Sequence, residues 1–180
     1  LMKAAELMVK CLENEGVEYI FGIPGEENLD VMDALLDSKI EFVTTRHEQG
    51  AAFMADLWGR LSGSAGVCLA TLGPGATNLV TGVADANMDH APLVAIAGQA
   101  GTTRLHKESH QVLDLKGMFD PITKYASTLL SPNITTRGGA QGVQGVAVGE
   151  DRRLLYRIPR EYRRDGGGGR ATAGASAPSP

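Results

Sequence analysis

Four short runs dominated by apolar residues, 17–21, 40–44, 67–72 and 92–97, constrain this chain more than any other feature. They are apolar on both faces of an extended chain rather than on alternate residues, so a sheet built from them must be covered on both sides. Helical stretches separate them. Ala4, Leu7, Met8, Cys11 and Leu12 recur at helical spacing and stop at Gly16, and Asn28 is placed to cap a helix over Leu29 to Leu36. Glu48 to Leu61 carries small residues along one side, and Ala76 to Ala86 follows a GPG turn. Strands alternating with helices in this way predict an α/β fold, a parallel sheet with helices on both faces. Ligands of such sheets collect outside the carboxyl ends of the strands. GIPGEEN, TTRHEQG, TLGPGATN and AGQAGTTR all fall at that edge.

Composition narrows the function classes. The length of 180 residues suits one ordinary domain, and 43% hydrophobic with 21% charged residues is the profile of a globular chain. A net charge of -4 supplies no electrostatic reason to expect nucleic acid. No run approaches the ~18 apolar residues of a membrane span, and the start lacks the basic-then-apolar layout of a signal peptide. Cys11 and Cys68 show no CxxC or Cys/His ligand spacing, so reduced thiols in a cytoplasmic protein are expected. The charge is unevenly spread. Residues 1–128 hold 6 lysines, 3 arginines and 17 acids, whereas 129–180 hold no lysine, 8 arginines, 4 acids and 10 of the 23 glycines.

RHEQGAAFMAD is the most informative stretch for chemistry. Glu48 stands where a strand gives way to a helix, next to Ala51, Ala52, Phe53 and Met54. Shielding from water there favours sharing a proton, while an acid in a helix's first turn also has a purely structural reading through the dipole. GPGATN follows a strand and opens a helix as a phosphate loop does, but lacks the third glycine of GxGxxG and the Lys-Ser/Thr of a P-loop. A tight turn for close packing explains it equally well. His106 and His110 are four apart, yet HKESH is not HExxH and no third metal ligand is evident.

Several segments in order resemble the N-terminal, pyrimidine-binding domain of thiamine-diphosphate-dependent enzymes. They are IFGIPGEENLDVMDAL, TTRHEQGAAFMADLWGRLSG, GVCLATLGPGATNLVTGVADA, PLVAIAGQ and HQVLDLKGMFDPITKYA. The acetolactate synthase large subunit is the nearest branch. The resemblance covers residues 2 to about 133. It implies a six-stranded parallel sheet and a homodimer or tetramer in which this domain faces the diphosphate-binding domain of another subunit. It also implies that Glu48 is catalytic, hydrogen-bonding the pyrimidine ring and favouring the imino tautomer that takes the thiazolium proton. Pro24, Gly25 and Asn78 match cofactor-binding positions, and Gln111, with His110 before it, matches a position facing the substrate. Many biosynthetic synthases have Phe where His110 stands, so an oxidase or another decarboxylase of the family also fits. The implied chemistry is decarboxylation of pyruvate and condensation with a second 2-keto acid. Mg²⁺ would be held through a GDG…NN motif that this chain lacks, so no metal ligand is assigned, and FAD is possible but not indicated. A fragment of this kind is expected to be inactive alone; a non-catalytic partner of full-length subunits is the other reading.

The expected domain boundaries are 1–133 for the pyrimidine-binding domain and 134–180 for an Arg/Gly/Ala-rich, unstructured tail. Arginine and glycine without lysine are what a GC-rich gene yields out of frame. Read one nucleotide further along, the codons for Gly149 to Arg170 admit a family-like continuation that includes a YYIEF strand. The tail is accordingly read as a frameshift product, and the sheet as lacking its last strand.

Overall fold

The apolar runs become strands of one parallel sheet. The computed structural model describes residues 4–101 and 109–128 and the backbone of 154–159. In chain order the elements are α1 (Ala4–Asn14), β1 (Tyr19–Gly22), α2 (Leu29–Leu35), β2 (Glu41–Thr44), α3 (Glu48–Ser62) and β3 (Gly66–Ala70). They continue with α4 (Pro74–Thr77), α5 (Val80–Met88), β4 (Leu93–Gln99), α6 (Leu115–Phe119), β5 (Tyr125–Thr128) and β6 (Leu154–Pro159). The sheet order is β2-β1-β3-β4-β6-β5, and every neighbouring pair is parallel.

Period-two alternation along the strands divides the core between the two faces. Ile20, Val67, Leu69, Val94 and Ile96 pack with Met8, Val9 and Leu12 of α1 and with Val31 and Leu35 of α2. Phe21, Cys68, Ala70, Ala95 and Ala97 face Ala51, Ala52 and Ala55 of α3, Val83 and Ala86 of α5, and Leu115 and Phe119 of α6. The predicted α/β sheet, clad on both sides, is therefore what forms. Cys68 lies wholly inside, where burial pushes its thiol up to about 12, so it stays protonated and unreactive.

The second face is built from small residues, and this brings its helices very close to the strands. A Cβ on Gly66 would lie 1.8 Å from the Ala55 carbonyl oxygen, one on Gly59 2.2 Å from that of Pro92, and one on Gly82 2.6 Å from Ala52 Cβ. No side chain fits at these contacts, so they fix the depth at which α3 sits.

Three differences from expectation have local causes. Asn28 occupies the N-cap position of α2 but makes no side-chain cap bond. Its amide instead closes the GIPGEEN turn, accepting from Gly25 N–H at 2.8 Å and donating to the Ile23 carbonyl at 3.1 Å. The single helix expected over 76–86 is two, because Leu79 N–H turns back to the Ala76 carbonyl and tightens the chain between α4 and α5. The third difference is in the tail. Leu154–Pro159, inside the stretch expected to be unstructured, runs as a parallel strand between β4 and β5, so the sheet does not lack a strand there. The local sequence LLYRIP is a short apolar run ended by proline, a strand signal hidden by the surrounding Arg/Gly composition. The rest of 134–180 lies outside the described residues.

Replacing Gly66 by alanine forces a methyl group into the backbone of α3. Gly66→Ala is expected to lower unfolding stability by about 3 kcal/mol in urea titration, at the upper end of overpacking costs.

Candidate cofactor site at the carboxyl edge of the sheet

Glu48 is the first residue of α3, and the turn before it is held in place by side chains. His47 is the N-cap, its Nδ1 accepting from Gln49 N–H at 3.2 Å, and Thr45 Oγ1 donates to the His47 carbonyl at 3.0 Å. Behind Glu48, Ala51 and Ala52 are completely buried, whereas Glu48 itself is half-buried with its carboxylate at the sheet edge. One oxygen, Oε2, accepts a hydrogen bond from Asn78 Nδ2 at 2.9 Å. Asn78 reaches it because the chain tightens between α4 and α5, so the break in that helix has a local consequence for the site.

The other carboxylate oxygen faces the GPG turn. A Cβ on Gly75 would lie 3.2 Å from Glu48 Oε1 and 2.8 Å from Thr71 Cγ2. On the opposite side of Thr71 sits the first glycine turn, where a Cβ on Gly25 would lie 2.6 Å from Thr71 Cβ and 2.9 Å from its Oγ1. Gly25, Thr71, Gly75, Glu48 and Asn78 thus form one continuous series of contacts across the carboxyl ends of β1 and β3.

A third loop closes on the same turn. Gly73 has φ +55° and a Cβ there would lie 2.7 Å from both Gln111 Cβ and the Gln111 carbonyl oxygen. Gln111 is itself left-handed, with φ +58°, which is uncommon for a residue other than glycine, and it is exposed. Gln99, fully buried at the end of β4, anchors this loop: its Nε2 donates to the Leu113 carbonyl at 3.0 Å and its Oε1 accepts from Ala100 N–H at 2.9 Å.

Of the residues singled out in the sequence, Glu48, Asn78 and Gly25 therefore meet around Thr71 and Gly75, and Gln111 abuts the same glycine turn. Pro24 and His110 are exposed on their loops beside Gly25 and Gln111. His106 lies outside the described residues. Among the described residues no three His, Cys, Asp or Glu side chains form a group able to hold a metal ion. Thr71 and Gln99 carried no individual assignment in the sequence. Both sit inside the quoted loop motifs, but nothing in their residue type marks contact with a neighbouring turn.

The far end of α3 is secured as well. Arg60 pairs with the buried Asp56 through Nε to Oδ1 at 2.9 Å and Nη2 to Oδ2 at 2.6 Å, with Asp85 at 2.9 Å, and with Asp89. Its hydrogen bonds to Asp56 raise the guanidinium pKa further above an already high value. Helix α3 is thus tied to the α4–α5 segment at both ends, by Glu48–Asn78 at the site and by Arg60 about 18 Å away at 1.5 Å rise per residue.

Residues 2–118 match the family described as thiamine pyrophosphate enzyme, N-terminal TPP binding domain. The chain belongs to that family. It is 50% identical to an acetolactate synthase of Bacillus subtilis over 124 residues, 69% of this chain and 22% of the relative. It is 40% identical to the acetolactate synthase large subunit of Corynebacterium glutamicum and 42% identical to an acetolactate synthase of Mycobacterium bovis, each over 161 residues. Those two matches take in 89% of this chain and 26% of the relative, a span long enough to include β6. The chain spans about a quarter of the length of the curated relatives it matches. No helix among the described residues is long and apolar enough to cross a membrane.

Two measurements probe the site's physics without ligand. A double-mutant cycle on Glu48→Ala and Asn78→Ala is expected to give a coupling of about 1.5 kcal/mol, the value of a hydrogen bond to a charged group. Gln111→Gly is expected to raise stability by about 1 kcal/mol in urea titration, by relieving the left-handed backbone.

Proposed function

We propose that this chain is the pyrimidine-binding portion of an acetolactate synthase-like enzyme, and that Glu48 is its catalytic acid–base group. The observation that carries the reading is the Glu48 carboxylate, oriented by Asn78 at 2.9 Å and set against the glycine turn at Gly75. The residues fit the aminopyrimidine half of thiamine diphosphate: a carboxylate to accept from a ring nitrogen, and turns whose missing Cβ atoms let a flat ring approach the backbone. When bound, the cofactor supplies the carbanion chemistry that decarboxylates pyruvate and joins it to a second 2-keto acid. The chain's own part is to hold the ring at Pro24–Gly25 and Gly75, and to keep a proton shared at the Glu48 carboxylate. Gln111 and His110 stand on the loop that faces the reacting substrates.

The remainder of the site belongs to chain that these residues do not include. In this proposal Mg²⁺ and the diphosphate are held by a second domain, and the complete enzyme is a homodimer or tetramer. The exposed face of α3 supports such a partner. Met54, Leu57 and Leu61 recur at helical spacing with 43%, 53% and 86% of their surface in water, an apolar stripe suited to burial against another domain.

The reading predicts binding without turnover. Saturation-transfer NMR with 4-amino-2-methylpyrimidine is expected to show saturable binding to the full chain, weakened at least tenfold, about 1.4 kcal/mol, in Glu48→Gln. With pyruvate, thiamine diphosphate and Mg²⁺ the isolated chain is expected to release no carbon dioxide. Wild-type binding that Glu48→Gln leaves unchanged overturns the role of Glu48, and turnover overturns the need for a second domain.

A further inference from the structure

We propose that the hydroxyl of Thr71 is a second hydrogen-bonding group of this site, held without a partner in the free chain and used when a heteroaromatic ring is bound. The inference rests on the pyrimidine-binding reading above and goes beyond it to a residue that the reading did not assign.

Thr71 Oγ1 is sealed from water, yet it has no hydrogen-bond partner among the described residues. A buried hydroxyl in that state costs stability, and valine would fill the same space without the cost. The packing demand at this position is therefore for a β-branched side chain, and the oxygen answers to something else. Its surroundings indicate what. A Cβ on Gly25 would lie 2.9 Å from Oγ1, and one on Gly75 would lie 2.8 Å from the Thr71 methyl carbon. A Cβ on Gly75 would in turn lie 3.2 Å from Glu48 Oε1. The unpaired hydroxyl and the paired carboxylate thus flank the same glycine turn, where one flat ligand spans both.

The two groups are chemically complementary. The ionised Glu48 carboxylate only accepts, whereas a threonine hydroxyl donates and accepts. Together they match a ring that presents both a ring-nitrogen donor and an exocyclic or ring acceptor, and an aliphatic ligand of the same size would leave the hydroxyl unsatisfied. Gly25, in the GIPGEEN turn, lies next to Oγ1. The outer side of that turn is exposed at Pro24 and Glu26, so the turn is the part that yields when a ring is seated.

The test uses the full chain with Thr71→Val, Thr71→Ser and Glu48→Gln, each melted without ligand and then titrated with 4-amino-2-methylpyrimidine by saturation-transfer NMR. Thr71→Val is expected to melt at or above the wild-type temperature while binding the ring at least fivefold more weakly. Thr71→Ser, which keeps the oxygen, is expected to bind within twofold of wild type. Two results overturn the proposal: Thr71→Val binding as wild type does, or Thr71→Val melting lower, which shows that the hydroxyl is already engaged in the free chain. If Glu48→Gln loses binding while Thr71→Val keeps it, the pyrimidine site stands and only the role of Thr71 falls. If the wild-type chain itself fails to bind, both fall together.

Discussion

The contact on which the rest of this structure depends is the approach of α3 to the start of β3, where Gly66 lies against the Ala55 carbonyl with no room for a side chain. Backbone meets backbone there, and a methyl group on either element would lift the helix off the sheet. The alanines at 51, 52 and 55 and the glycines at 59 and 82 serve the same end. Position along the helix then does the rest. Asn78 holds the Glu48 carboxylate at the front, and the Arg60 cluster ties down the back of the helix.

Most of this was legible in the sequence, for identifiable reasons. Two-faced apolar runs could only be buried strands, and the four that were read from the residues are the four that form the left and centre of the sheet. Glu48 was conspicuous because an acid followed by small apolar residues is unusual at a strand-to-helix junction. What stayed hidden was whatever depends on contacts between loops. Asn28 has the residue type of a cap, and only the folded turn shows that its amide is spent on Gly25 and Ile23. Thr71 and Gln99 look like ordinary strand-end residues until the neighbouring loops are in place. β6 was obscured by composition, since six strand-forming residues were averaged with dozens of arginines, glycines and alanines.

Polar satisfaction is distributed unevenly over the molecule. Several buried polar groups are matched: Asp56 has Arg60, Asn28 has two backbone partners and Gln99 has two more. By contrast, Thr71 Oγ1 has no hydrogen-bond partner among the described residues, and Gln111 is held left-handed against Gly73. Both are small debits in stability, and both lie where the three loops converge.

The sheet order carries a consequence for how the chain assembles. β5 ends at residue 128, yet its neighbour in the sheet is β6, which begins at residue 154. During synthesis the four strands from β1 to β4 can zip together as they appear, whereas β5 has nothing to pair with until some twenty-five further residues have been added. For that interval the open flank of β4 and the unpaired β5 are both exposed, in a chain that already contains Glu48 and Asn78. The Glu48–Asn78 pair is thus in place before the sheet is finished, and β6, the last strand to arrive, closes the seam between β4 and β5.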